Sequence, residues 1–152
     1  MKKLLIYIFL SLICTCCTLS ASQEQSLNKN LGLYLQALEK KSILVQVSMY
    51  HPEFVHYIKD KGTAYFKEVF SANENEIDLL FLDPKIVKIE TKDDKIHVLY
   101  KVRKEFLIEG ENRVEELEFV AISEDDGENW YFVNYKMYLN KNICKKVPRL
   151  IK

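Results

Sequence analysis

The chain has 152 residues, of which 48% are hydrophobic and 29% charged, with 22 basic side chains balancing 22 acidic ones. Such a composition belongs to ordinary globular proteins, and the length suits one domain. A balanced charge and an isoelectric point near 6.8 argue against a domain that holds nucleic acid through a basic field, and four Gly and three Pro exclude collagen-like and linker-rich classes.

Met1-Lys2-Lys3 opens the chain with positive charge, and in the 14 residues from Leu4 to Cys17 only Ser11 and Thr15 are not apolar. A helix of that length rises about 21 Å, short of the roughly 30 Å hydrocarbon core, so a signal peptide is the better reading than a membrane span. Ser20 and Ser22 flank Ala21 as the small residues a leader peptidase selects. Residues 1–22 are therefore expected to be removed, leaving an exported protein, periplasmic or secreted, that starts at Gln23. Cutting there discards Cys14, Cys16 and Cys17 and leaves Cys144 alone, so no intramolecular disulfide forms. The alternative is a membrane-anchored lipoprotein held through one of those three cysteines; they follow Ile13, Thr15 and Cys16, where such signals usually carry Gly, Ala or Ser.

Leu27, Leu31, Tyr34, Leu35 and Leu38 repeat with helical spacing, with Ser26 placed to cap the helix, and Ile43, Leu44 and Val47 continue that spacing to about Tyr50. His51-Pro52 starts a further helix with Phe54, Val55 and Ile58 as its apolar face and Lys61-Gly62 as its stop. Thr63 opens a short helix in which Phe66, Val69 and Phe70 are spaced for burial.

The period then changes. Ile86–Ile89 is a short strand after Pro84, and from Lys95 onward Ile96, Val98, Tyr100, Val102 and Phe106 share one parity while His97, Lys101, Arg103 and Glu105 share the other. Folding about Gly110-Glu111 sets Val102 opposite Phe119, Tyr100 opposite Ala121 and Arg103 opposite Glu118, with an apolar face backed by a charged one. Asp125 to Asn129 forms the next turn, and Trp130 to Tyr138 returns as a strand with Tyr131, Val133, Tyr135 and Met137 on one side.

Helices followed by an antiparallel meander define an α+β domain over 23–139, the helices packed on the concave face of a curved sheet. Leu38-Glu39-Lys40-Lys41, Met49-Tyr50-His51-Pro52-Glu53-Phe54, Lys61-Gly62 and Ile122 to Val133 together resemble small secreted bacterial members of the nuclear transport factor 2-like superfamily, of cystatin-like fold. The resemblance implies a cone with a cavity between helices and sheet; the superfamily's enzymes use a carboxylate or histidine base inside it, beside a tyrosine or acid.

On the expected inner face the polar residues of the central hairpin are Lys104, Arg113 and Glu115, all near the turn, so no catalytic set assembles from the sequence. The expected function is non-enzymatic binding of a small apolar ligand or a partner segment in the cone. The alternatives are a small isomerase or dehydratase of the same fold, or a component of a cell-envelope assembly. Tyr34, Tyr50, Tyr100 and Tyr135 fall on inward parities and are the candidates to line a pocket, with Trp130 at the sheet's end or the cavity mouth. No cofactor is implied. Metal binding is disfavoured too: His51 and His56, five apart, diverge by about 140° around a helix axis, and Glu53 with His56 supplies only two ligands. His97 is expected to be solvated.

Residues 140–152 carry Lys141, Lys145, Lys146, Arg149 and Lys152 with no acidic residue, which reads as a solvated tail, or as a contact for an anionic surface. Cys144 is either a small buried hydrophobe or a thiol able to join two copies as a homodimer.

Overall fold

The computed structural model describes residues 18–70, 75–140, 142, 143, 145 and 147–152. Residues 1–17 of the expected leader, with Cys14, Cys16 and Cys17, and the tail residues Lys141, Cys144 and Lys146 lie outside the described residues. No described helix is long and apolar enough to cross a membrane.

Helix α1 spans Ala21–Glu39 and is capped by Ser20, not by Ser26: the Ser20 hydroxyl accepts from the Gln23 amide at 3.3 Å, and the Gln23 side chain accepts from the Ser20 amide at 2.8 Å. Two otherwise orphaned donors are thus satisfied reciprocally, an advantage that Ser26 lacks. Ser26 lies inside the helix and donates to the Glu128 carbonyl at 3.2 Å. Leu27, Leu31, Tyr34 and Leu35 are buried as the stripe requires.

The helix does not continue to Tyr50. Lys41 takes a left-handed conformation (φ 51°), and a separate α2 runs over Ile43–Met49. Leu44 is 86% exposed there, and the buried side chain is Gln46, whose Nε2 donates to the Ala37 carbonyl at 3.1 Å. Helix α3, Pro52–Asp60, begins where Pro at the first turn predicts, with the His51 ring accepting from the Glu53 amide at 3.3 Å; Phe54, Val55 and Ile58 are buried. Gly62, at φ 96°, lets the chain reverse into α4, Thr63–Phe70, of which Phe70 alone is fully buried.

Strands β1 (Ile77–Lys92), β2 (Lys95–Ile108), β3 (Glu111–Ser123) and β4 (Tyr131–Asn134) form one antiparallel sheet in that order, and α5 (Tyr135–Leu139) follows. The fold is α+β with an open four-stranded sheet. β1 is much longer than the expected Ile86–Ile89. Its alternation is broken by register shifts at Ile77/Leu80, Leu82/Lys85 and Ile86/Lys88, with Asp78 and Asp83 at φ 52°. Bulges hide a strand from any period-two reading, and an edge position tolerates Pro84.

The central hairpin turns about Glu109-Gly110, with φ values of 53° and 82°, between the paired residues Ile108 and Glu111. Positive φ at both loop residues is the type I′ requirement, and it places Gly110 at the second loop position rather than the first. Tyr100 therefore faces Phe119, Val102 faces Leu117, Lys101 faces Glu118 and Arg103 faces Glu116, a displacement of two residues from the expected register. An even displacement leaves every side chain on its expected face.

Helices cover both faces of the sheet. On the first face, α1 packs Leu27, Leu31 and Tyr34 onto Val98, Tyr100, Val102, Phe119 and Phe132. The second face is charged only toward the hairpin tip. At its root Leu99, Val120, Ile122 and Val133 are buried under Phe54 and Ile58 of α3, Tyr138 of α5, and Ile143, Val147 and Ile151 of the C-terminal segment. Residues 140–152 are thus not simply a solvated tail. Arg149 donates to the Val147, Asn140 and Ile143 carbonyls, and its guanidinium lies over the Phe54 and Tyr138 rings, so this cation is committed inside the fold. The chain crosses from face to face around β4, where the His51 amide donates to the Phe132 carbonyl at 3.2 Å.

β4 ends at Asn134, short of the expected Tyr138. The Asn134 side chain accepts from the Lys136 and Met137 amides and caps α5, which overrides the alternation that Tyr135 and Met137 would continue.

Candidate functional site

Where β4 leaves the sheet, β3 continues paired with β2 alone, and a cleft of about 600 Å³ opens between the end of α1, α4 and α5. Its walls include Tyr34, Tyr50, Phe70, Leu117, Phe119 and Met137. Tyr34 stacks on Phe132 at 4.5 Å between ring centroids and meets the edge of Phe119 at 5.8 Å, which fixes the inner wall. Tyr50 packs edge-on to Phe70 at 5.2 Å, and its hydroxyl accepts from the Asn134 amide at 3.2 Å, tying the cleft to the end of β4.

The neutral polar groups of the lining are the Tyr34, Tyr50 and Tyr65 hydroxyls, Gln46, Asn134 and Asn140, and its charged groups are Glu68, Glu118 and the exposed Lys136. Burial, with the neighbouring Tyr50, holds the Tyr34 phenol far above its ordinary range, so it stays protonated and can donate to a guest. Both carboxylates of the lining face water: Glu68 is exposed, and Glu118 pairs with Lys101 at 3.4 Å with its side chain 37% accessible.

Of the five aromatic residues singled out in the sequence, Tyr34 and Tyr50 line this cleft. Tyr135 lines a second hollow of about 310 Å³ on the other side of β3, with Lys101, Glu116, Glu118 and Lys136. Tyr100 is buried in the core between β1 and β3, and desolvation pushes its phenol up to about 12. Trp130 is also core: its indole N–H donates to the Gly127 carbonyl at 3.0 Å, closing the sheet's end. Tyr65, Phe70 and Met137 were not foreseen; Met137 enters the cleft only because Asn134 turns the chain into a helix. Lys104, expected at the rim, is paired with Glu76 at 2.7 Å with both side chains 12% exposed.

His97 is fully buried rather than solvated, because α5 and the C-terminal segment cover its end of the charged parity. Its Nδ1 lies 2.8 Å from the Tyr138 hydroxyl, which also accepts from the Ile151 amide at 3.1 Å. His51 Nε2 faces the Glu124 carboxylate at 3.9 Å, and His56 is on the surface, paired with Asp60 at 3.4 Å. Among the described residues no three His, Cys, Asp or Glu side chains converge as a metal set. No protein-family model matches the chain, and no curated protein or solved structure matches it significantly.

Proposed function

We propose that the chain is an exported domain of the nuclear transport factor 2-like kind that binds a small, uncharged, largely apolar molecule in the aromatic cleft, without acting on it chemically. One observation carries the reading: a cleft of about 600 Å³ whose rings are accompanied by neutral donors and acceptors, with its charged groups, Glu68, Glu118 and Lys136, toward water. That is the makeup of a ligand pocket, in which apolar walls supply affinity and a few polar atoms fix orientation. Export rests on the basic start and apolar run at 1–17.

The neutral dye N-phenyl-1-naphthylamine tests the cleft, since its fluorescence rises on transfer to an apolar site. Wild-type protein is expected to bind it saturably, and Val69→Trp, which fills the mouth from a half-buried lining position, is expected to abolish binding with little change in melting temperature. Equal binding by the two proteins overturns the reading. Turnover of a bound small molecule would overturn its non-enzymatic part. For export, mass spectrometry of the protein from expressing cells is expected to find Gln23 at the N-terminus; a diacylglyceryl cysteine at 14, 16 or 17 would overturn release.

A further inference from the structure

We propose that the free edge of β3 accepts an extended peptide from a partner protein, which adds to the sheet in line with β4. This deepens the cleft reading for one side chain of that peptide; the backbone pairing stands apart from it. β4 pairs only Phe119 to Ile122, so among the described residues no strand lies against Glu111 to Glu118 on that side. The β2–β3 register is unbroken from Ile108↔Glu111 to Ile96↔Ser123. In a two-residue hairpin the pair flanking the turn bonds reciprocally, so alternation points the N–H and C=O groups of Asn112, Val114, Glu116 and Glu118 outward.

Hollows lie on both faces of this edge at the place where β4 ends. The aromatic cleft flanks Leu117 and Phe119 on one face, and the hollow with Lys101 and Tyr135 flanks Glu116 and Glu118 on the other. Successive side chains of a strand point to opposite faces, so an added strand would offer alternate residues to the two hollows.

Charge selects the occupant. The edge from 111 to 118 holds four glutamates and one arginine. On the second face the Lys101 ammonium is shared between Glu116, at 3.1 Å, and Glu118, at 3.4 Å, with Lys136 lining the same hollow. A basic side chain opposite Glu116 reaches Glu118 on the diagonal, and opposite charges across strands attract. Opposite Leu117 the residue is apolar and enters the cleft; opposite exposed Val114 it is again apolar. A second copy of this edge is the poorer fit, because it brings a second set of glutamates.

The register dictates a probe, acetyl-Phe-Lys-Lys-Val-Glu-Thr-amide, whose residues face Leu117, Glu116, Glu115, Val114, Arg113 and Asn112 in turn. Isothermal titration is expected to show 1:1 binding weakened by salt, with a scrambled peptide of equal composition at least about tenfold weaker. Glu116→Pro removes an outward N–H without touching the β2 ladder and is expected to weaken binding about tenfold, with Glu116→Gln retaining more of it. Should the proline variant fail to fold, amide exchange in the wild type decides: the peptide is expected to slow Asn112, Val114 and Glu116. Equal binding of the scrambled peptide, or no slowing at those amides, overturns the proposal. A dimer abolished by Glu116→Pro in a protein that ignores the peptide also overturns it and makes a second copy the occupant. Dye binding without peptide binding leaves the cleft reading intact while this one fails; peptide binding without dye binding does the reverse.

Discussion

Acid should loosen this fold through His97. In the folded chain its ring is fully buried, and desolvation, with His51, Lys95 and Arg149 as cationic neighbours, lowers its pKa from 6.5 to about 4. The same cause lowers His51, against the opposing pull of Glu124 and Glu53. Between pH 6.5 and 4 the unfolded chain binds the proton that the native ring refuses, so stability rises with pH across that window. The contribution of neutral His97 is fully present above 6.5 and is lost as pH falls toward 4. Linkage puts the loss between about pH 7.5 and about pH 4.5 at roughly 2.5 kcal/mol, a large part of a small domain's stability. Urea unfolding of wild type and His97→Gln at both pH values isolates the effect from the general titration of carboxylates. The wild type is expected to lose about 2 to 3 kcal/mol more than the variant. Parallel losses would refute the reasoning and mean that the native ring is open to protons.

The central register is checked by a pair of substitutions: Phe119→Ala, which removes a ring packed among Tyr34, Tyr100 and Phe132, should cost about 3 to 5 kcal/mol in denaturant unfolding. Glu118→Ala, on the exposed face, should leave the midpoint almost unmoved; equal losses would place the wrong face in the core. Gly127 sits at φ 87°, and a Cβ there would meet the Gln23 side chain at 2.6 Å, so Gly127→Ala should destabilise by about 1 to 3 kcal/mol in thermal unfolding. A smaller cost for Gly127→Ala in Gln23→Ala protein than in wild type would assign part of the loss to that contact.

Side-chain parity was the most legible feature of the sequence, because Val98, Tyr100, Val102, Phe119 and Ala121 could not exchange faces with Lys101, Arg103 and Glu118 without desolvating charge. The turn position was harder to read, since shifting it by two residues preserves every face and only the backbone preference of Glu109-Gly110 distinguishes the registers. The second core was hidden for another reason. Ile143, Val147 and Ile151 recur at intervals of four, a regular apolar signal, but they sit within a lysine-rich string whose charge dominates composition. His97 and the wall contributed by Met137 depend on that hidden layer and on the Asn134 cap, so both required tertiary contacts to become visible. Tyr34, within the apolar stripe of α1, and Tyr50, just past the end of α2, both line the cleft.

A sheet covered on both faces at one end and on one face at the other cannot resist opening uniformly. Around Leu99 and Val120 every route to solvent passes through one of two apolar layers, so these amides should exchange hydrogen only when the whole domain unfolds. Toward Glu109-Gly110 the strands have exposed charged side chains on one face and few apolar neighbours, so the tip should fray by local excursions at far lower cost. The hairpin is thus a lever with a rigid root and a soft end. Whatever docks along the soft end must spend part of its binding free energy on ordering it, and the reward is a slower exchange rate that spreads from the tip toward the root.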